Sequence, residues 1–191
     1  MSRRIYARIE LSPMKASDWP AVREVYLAGI ASGNATFETT TPSWDQWDAA
    51  HLTFGRLVAS GDGKMKGWAA LSRVSPREAY AGVVDVSIYV AADARGQGYG
   101  HALLEALIVE AESNGIWMLQ AGIFPENLAS IKLHQRCGFR QVGSRERIAK
   151  LNGIWRNTVL MERRSTLVGT DAGRGNELDL EKEPQPTGRR T

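Results

Sequence analysis

The chain has 191 residues, enough for one domain with a real hydrophobic core, and its 24 Lys/Arg against 21 Asp/Glu leave a formal charge of +3 with no basic stripe of the kind that marks a nucleic-acid surface. A single cysteine, Cys137, excludes an intrachain disulfide and a multi-cysteine zinc site, and no run of roughly 18 apolar residues is present to cross a membrane. A soluble, cytoplasmic protein that binds neither nucleic acid nor membrane is expected.

Residues 5 to 11 suggest a first strand. A helix follows Asp18, with Pro20 in its first turn and Val22, Val25, Tyr26 and Ile30 on one face. The Gly33-Asn34 pair ends it, and Ser43 is placed to cap a second helix bearing Trp44, Trp47 and Leu52. The glycines at 61, 63 and 67 punctuate the start of a central sheet, with strands at about 65 to 74 and 82 to 90. Leu103, Leu104, Leu107, Ile108 and Ala111 then recur at helical spacing up to the Asn114-Gly115 stop. A strand at about 117 to 124 leads to a helix capped by Asn127 and stopped at Gly138. Two last strands, at about 139 to 149 and 154 to 163, flank the Leu151-Asn152-Gly153 turn as a hairpin. This order predicts an α/β fold, a mixed sheet with helices on both faces. After Ser165 the remaining 26 residues hold no aromatic and nine charges, so a domain at 1–165 and a disordered tail at 166–191 are expected.

The densest motif joins the strand at 82 to 90 to the long helix: Arg95-Gly96-Gln97-Gly98-Tyr99-Gly100. A glycine turn opening a helix lets main-chain N–H groups approach a phosphate, and the helix start adds partial positive charge. The dinucleotide pattern would need Gly where His101 stands, and a phosphate-binding loop of the ATPase type would end in Gly-Lys-Ser/Thr. Three isolated histidines, His51, His101 and His134, lack paired ligand spacing, so no metal is expected. Cys137, among apolar neighbours beside a helix stop, reads as a buried small hydrophobe and not as a nucleophile.

The spacing of Arg95, Gly98 and Gly100 resembles the acetyl-CoA signature of the GCN5-related N-acetyltransferases (GNAT). Ser87 to Val90, Pro125 to Asn127, Ala129-Ser130, and Leu133-His134 through Gly138-Phe139 fall in that family's order. The run Asn34 to Thr39, Asp85 before Tyr89-Val90, and His134 after Leu133 resemble in particular the phosphinothricin and methionine sulfoximine acetyltransferases. This resemblance implies a mostly antiparallel sheet, splayed at a bulge in the strand at 84 to 90, whose free main-chain groups pair with the pantetheine arm. Acetyl-CoA would be the co-substrate, held by Ile88, Tyr89 and Val90 of the strand, by Arg95, Gly96, Gln97, Gly98, Tyr99 and Gly100 of the loop, and by Asn127 and Ser130. The N–H of Ile88 or a neighbour would polarise the acetyl carbonyl.

Strand alternation puts Asp85, Ser87 and Tyr89 on one face. Asp85 is the candidate base for a small amine acceptor, or else a ligand for its ammonium group. His134 is the candidate proton donor to the departing thiolate, or orients Asp85 through water. Phe37 would wall the acceptor pocket with Val86 and Ser87, and Arg73, Ser75 and Arg77 would meet an acceptor carboxylate or phosphinate. Relatives imply a homodimer, for which the aromatic-rich segment 36–47 offers a surface. A protein N-terminal or lysine acetyltransferase and a non-catalytic acyl-CoA sensor are the competing readings.

Overall fold

A computed structural model describes residues 9–170. Most of the strand expected at 5 to 11 and the tail from 171 on lie outside the described residues. The strand seen near the start is β1 (Glu10–Pro13). At the other end, Arg164 donates to the Val168 carbonyl at 3.1 Å, and the Ser165 hydroxyl accepts from the N–H groups of Leu167 and Val168. Residues 166–168 therefore belong with the domain rather than with the tail.

Helix α1 (Trp19–Ala31) has Pro20 in its first turn, where a missing N–H costs nothing, and buries Val22, Val25 and Tyr26. Helix α2 (Trp44–Ala50) starts on a reciprocal cap: the Ser43 hydroxyl accepts from the Gln46 N–H at 3.2 Å, and the Gln46 side chain accepts from the Ser43 N–H at 2.9 Å. The next element, β2 (Arg56–Gly61), has no counterpart among the expected strands. Its three consecutive buried residues, Leu57, Val58 and Ala59, show no alternation, and a run so short is ambiguous by periodicity. Gly61 to Gly63 is not the start of the sheet but the turn between β2 and β3 (Lys64–Arg73), with Asp62 and Gly63 both left-handed at φ 53° and 71°.

The rest of the chain is β4 (Val83–Val90), α3 (Tyr99–Ser113), β5 (Met118–Ile123), α4 (Leu128–Arg136), β6 (Arg140–Leu151) and β7 (Ile154–Arg164). The strands form one seven-stranded sheet in the order β1-β2-β3-β4-β5-β7-β6, antiparallel except for β4 against β5. One face carries α3 and α4 over a core of Leu71, Val84, Leu103, Leu107, Leu119 and Met161. The other carries α1 and α2 over Trp19, Tyr26, Trp47 and Trp68.

The aromatics of 36–47 mostly serve this second core. Trp47 is buried, and Trp44 stacks on it at 5.5 Å. Ile154, 67% exposed, and Trp155, 53% exposed, on the β6-β7 hairpin are among the large apolar side chains left at the surface.

Candidate active site

The parallel pairing of β4 with β5 spans only Val83 to Asp85 against Met118 to Gln120. Beyond it β5 stays with β7, while β4 continues along β3 to Val90. The sheet is thus open on one side of residues 86–90. Main-chain groups of successive strand residues point to alternate edges, and two hydrogen bonds fix the parity here. The Ala91 N–H donates to Lys66 on the β3 side, and the Gly82 carbonyl accepts from Met118 on the β5 side. Odd-numbered residues of β4 therefore face β3, and Val86, Ile88 and Val90 turn their N–H and C=O groups into the opening. The expected bulge in β4 is absent: its register with β3 is continuous from Arg73↔Val84 to Gly67↔Val90. The splay comes from β5 leaving, not from β4 bending.

Tyr89 is corrected by the same parity. Its main chain faces β3, and its ring stacks on Trp68 at 4.6 Å and meets Tyr26 at 4.8 Å, so it supports the strand instead of offering groups to a ligand. Val86 packs toward the α3-side core and lines the acceptor face with no side-chain atom.

At the end of β4 the glycine loop turns into α3. Gly96 and Gly98 are left-handed, at φ 74° and 94°, and Gly98 is the helix N-cap without any capping side chain. Among the described residues, the N–H groups of Gly98, Tyr99, Gly100 and His101 meet no acceptor, which leaves four donors converging at a helix start. Arg95 is exposed beside them, and Gln97 folds back onto the Asp93 carbonyl. Two members of the motif have other duties besides. The Tyr99 side chain is 1% exposed and packs on Gly61. A Cβ at Gly100 would lie 3.1 Å from Leu133 and 3.4 Å from Val90, so that glycine permits close packing of α3 on α4 and β4.

On the opposite face Asp85 is half-buried and accepts from Gln120 Nε2 at 2.9 Å. Burial pushes its carboxyl above the usual carboxylate range, against the Gln120 hydrogen bond and the positive charge of Arg145. Ser87 lies one step along the same face. The register makes Ser72, not Arg73, the cross-strand neighbour of Asp85, and sets Arg73 opposite Val84 on the other face. In the β3-β4 loop the Ser75 hydroxyl accepts from the Arg77 N–H at 3.2 Å, and the Arg77 guanidinium lies over Tyr80.

His134 comes from the α3 side. It is 1% exposed, meets Phe139 edge-on at 4.9 Å, and its Nδ1 lies 2.9 Å from the Ser130 carbonyl. That contact places the proton on Nδ1 and leaves Nε2 a buried acceptor without a partner among the described residues. Burial also lowers the ring's pKa. In this state the ring is neutral and Nε2 carries no proton, so donation from Nε2 would first require its protonation. Asn127 is occupied: its Oδ1 accepts from the Ser130 N–H at 3.2 Å as the α4 cap, and its Nδ2 donates to the Asn34 carbonyl at 3.1 Å. Cys137 is buried, as expected, with His101 Nδ1 3.2 Å from its sulfur, and burial raises its thiol pKa.

The acetyltransferase (GNAT) family profile matches residues 19–139. The chain belongs to the GNAT acetyltransferase family. A phosphinothricin N-acetyltransferase of Alcaligenes faecalis is 36% identical over 158 residues, covering 78% of this chain and 79% of that protein. An L-methionine sulfoximine/L-methionine sulfone acetyltransferase of Pseudomonas aeruginosa is 32% identical, covering 76% and 88%. The crystal structure of a phosphinothricin acetyltransferase from Sinorhizobium meliloti in complex with AcCoA superposes with a TM-score of 0.77 at 30% identity, covering 85% of this chain and 91% of that one.

Two parts of this GNAT site have no sequence signature. Gln120 is recognisable only once β5 is registered against β4. Arg156 of β7 donates to the Gly33 carbonyl at 3.1 Å and to Asn34 Oδ1 at 3.2 Å, pairs with Glu126 at 3.2 Å, and covers Phe124 at 4.2 Å. Phe37 packs edge-on against that same Phe124 at 4.8 Å. Arg156 and Asn127 together dock the segment after α1 onto the end of β5, and Phe37 with it.

Proposed function

We propose that this GNAT chain moves the acetyl group of acetyl-CoA to the amine of a small amino-acid-like acceptor by direct attack. The observation that carries the reading is the half-open β4: main-chain groups of Val86, Ile88 and Val90 are free along one edge, the glycine-started helix lies at its end, and a half-buried carboxylate stands on the adjoining face. These groups fit the acetyl thioester, which supplies an activated acyl carbon when bound. The four N–H groups at the start of α3 receive pyrophosphate charge, with Arg95 adding a cation. The Ile88 N–H, turned into the opening, would stabilise the acetyl carbonyl oxygen as it gains negative charge. Asp85, its pKa raised by burial, takes the proton that the attacking amine loses, directly or through water. The new C–N bond forms as the C–S bond breaks, and the thiolate leaves to be protonated from solvent.

The acceptor class is supported by the names of the relatives, and Phe37, docked against Phe124, is its proposed wall. Thiol release from acetyl-CoA should therefore be fast with phosphinothricin, methionine sulfoximine or methionine sulfone and slow with N-terminal or lysine peptides. Faster turnover of peptides would overturn the acceptor class, and acetyl-CoA binding without any turnover would reduce the protein to a sensor. The same proposal includes a cytoplasmic homodimer, supported by the exposed Ile148, Ile154 and Trp155 of the β6-β7 hairpin. Light scattering that gives only a 21.0 kDa species would contradict the dimer.

A further inference from the structure

The register of β3 breaks beside the glycine loop. Pairing with β2 runs from Arg56↔Ala70 to Ala59↔Gly67 and resumes at Ser60↔Met65, so Lys66 is one residue more than β2 can match. A bulge of this kind takes its extra residue out of the regular alternation and re-aims its side chain. Lys66 grips the chain leaving β4 at two points. Its carbonyl accepts from the Ala91 N–H at 2.8 Å, and its Nζ pairs with Asp93 Oδ2 at 2.7 Å. The lysine is half-buried and the aspartate exposed. Their hydrogen bond holds the Asp93 carboxyl below the usual carboxylate range and the lysine above its own, so both are charged at neutral pH.

Segment 92–98 lies between the sheet and α3. The Ala94 N–H donates to the Ala91 carbonyl at 3.0 Å and the Gln97 N–H to the Ala94 carbonyl at 3.4 Å, and the α3 ladder starts with Ala102 on the Gly98 carbonyl. Side chains supply the other ties. Ala94 is 1% exposed, and Gln97 Nε2 donates to the Asp93 carbonyl. Asp93 therefore holds Lys66 through its carboxylate and Gln97, the residue before the Gly98 cap, through its carbonyl. Among the described residues this is the one ion pair that segment 92–98 makes. Left-handed Gly96 and Gly98 give the loop many alternative conformations when nothing restrains it, and each one disperses the N–H groups that follow. A tie to the sheet removes part of that ordering cost before a ligand arrives.

We propose that Lys66 and Asp93 are positioning residues for the cofactor: their ion pair ties the glycine loop to the bulge in β3 and pre-orders the N–H donors at the start of α3 for the pyrophosphate of acetyl-CoA. Neither side chain touches the cofactor in this role. The inference rests on the assignment of the glycine loop to acetyl-CoA above.

The test gives the wild type, Lys66→Met, Asp93→Ala and the double variant two co-substrates, acetyl-CoA and S-acetylpantetheine, which carries the thioester without the phosphates, at saturating L-methionine sulfone. Each single variant should raise the KM for acetyl-CoA about 2- to 5-fold, the range of a partly exposed ion pair, and leave kcat unchanged. With S-acetylpantetheine all four proteins should have the same kcat/KM, because no pyrophosphate is there to be held. The double variant should lose no more than either single one, as members of one pair do. Tighter acetyl-CoA binding in Asp93→Ala beside weaker binding in Lys66→Met would make Lys66 a direct phosphate ligand and overturn the positioning role. So would equal losses on both co-substrates, which mark general damage to the fold, or an unchanged KM for acetyl-CoA in both single variants. Each of these outcomes leaves the acetyl-transfer reading standing. A wild type that uses S-acetylpantetheine as well as acetyl-CoA removes the loop assignment, and a wild type that turns over neither removes the transfer reading. This inference falls with either.

Discussion

The groups proposed to meet acetyl-CoA are main-chain groups fixed by the course of the chain: the free edge of β4 and the first turn of α3. Those proposed to meet the acceptor are side chains on the α1 side, Asp85 and its partner Gln120, brought together from two strands far apart in sequence. A ligand bound by main chain tolerates side-chain change and is sensitive to any change in φ or close approach. A ligand bound by side chains behaves the opposite way. Substitutions on the two faces should therefore have separable consequences, cofactor affinity on one and acceptor chemistry on the other.

The largest effect is expected on the main-chain side. Gly98→Val forces a β-branched residue to φ 94°, a conformation L-residues rarely adopt, and it shifts the N–H groups that follow. Acetyl-CoA should raise the melting temperature of the wild type and leave that of this variant unchanged. An undiminished shift would show that the donors at the start of α3 do not hold the cofactor.

A smaller effect, of opposite sign for stability, is expected on the side-chain side. Burial raises the folded-state pKa of Asp85 above its ordinary value of 3.8. Between the ordinary and the raised value the folded chain binds more protons than the unfolded one, so stability falls as pH rises through that window and stays reduced above it. Asp85→Asn keeps an oxygen for Gln120 Nε2 and removes the buried charge. Its melting temperature should exceed that of the wild type by a few degrees at pH 7, and the gain should vanish below the ordinary value, where both forms are neutral. A lowered melting temperature at pH 7 would mean that the carboxylate stabilises the fold.

The two faces also differ in how far the sequence discloses them. The loop from Arg95 to Gly100 is contiguous, and its glycines carry their reason with them, so the proposed cofactor side is legible from the sequence alone. Even there, the duties of Gly100 against Leu133 and of Tyr99 against Gly61 emerge only in the folded chain, because packing partners leave no trace in local spacing. Asp85 and Ser87 follow from alternation along one strand. Arg73 falls on the wrong face because the face a residue takes is set by register with its neighbour, and one step separates Ser72 beside Asp85 from Arg73 behind it. Gln120 and Arg156 lie on different strands, and only the order β4-β5-β7 brings them to this side of the sheet. β2 escapes detection because three consecutive buried residues have no period to read. The proton on Nδ1 of His134 depends on the carbonyl of Ser130, a partner that the residue type does not disclose.

The claim that cofactor binding and acceptor chemistry sit on separate faces is tested most directly by titrating acetyl-CoA into Gly98→Val and Asp85→Asn side by side and measuring turnover of each. Asp85→Asn should bind acetyl-CoA within a few-fold of the wild type while its kcat/KM for the acceptor falls roughly 100-fold or more. Gly98→Val should lose the binding itself. Parallel loss of acetyl-CoA affinity and turnover in Asp85→Asn would contradict the division, because it would place that carboxylate in the cofactor site.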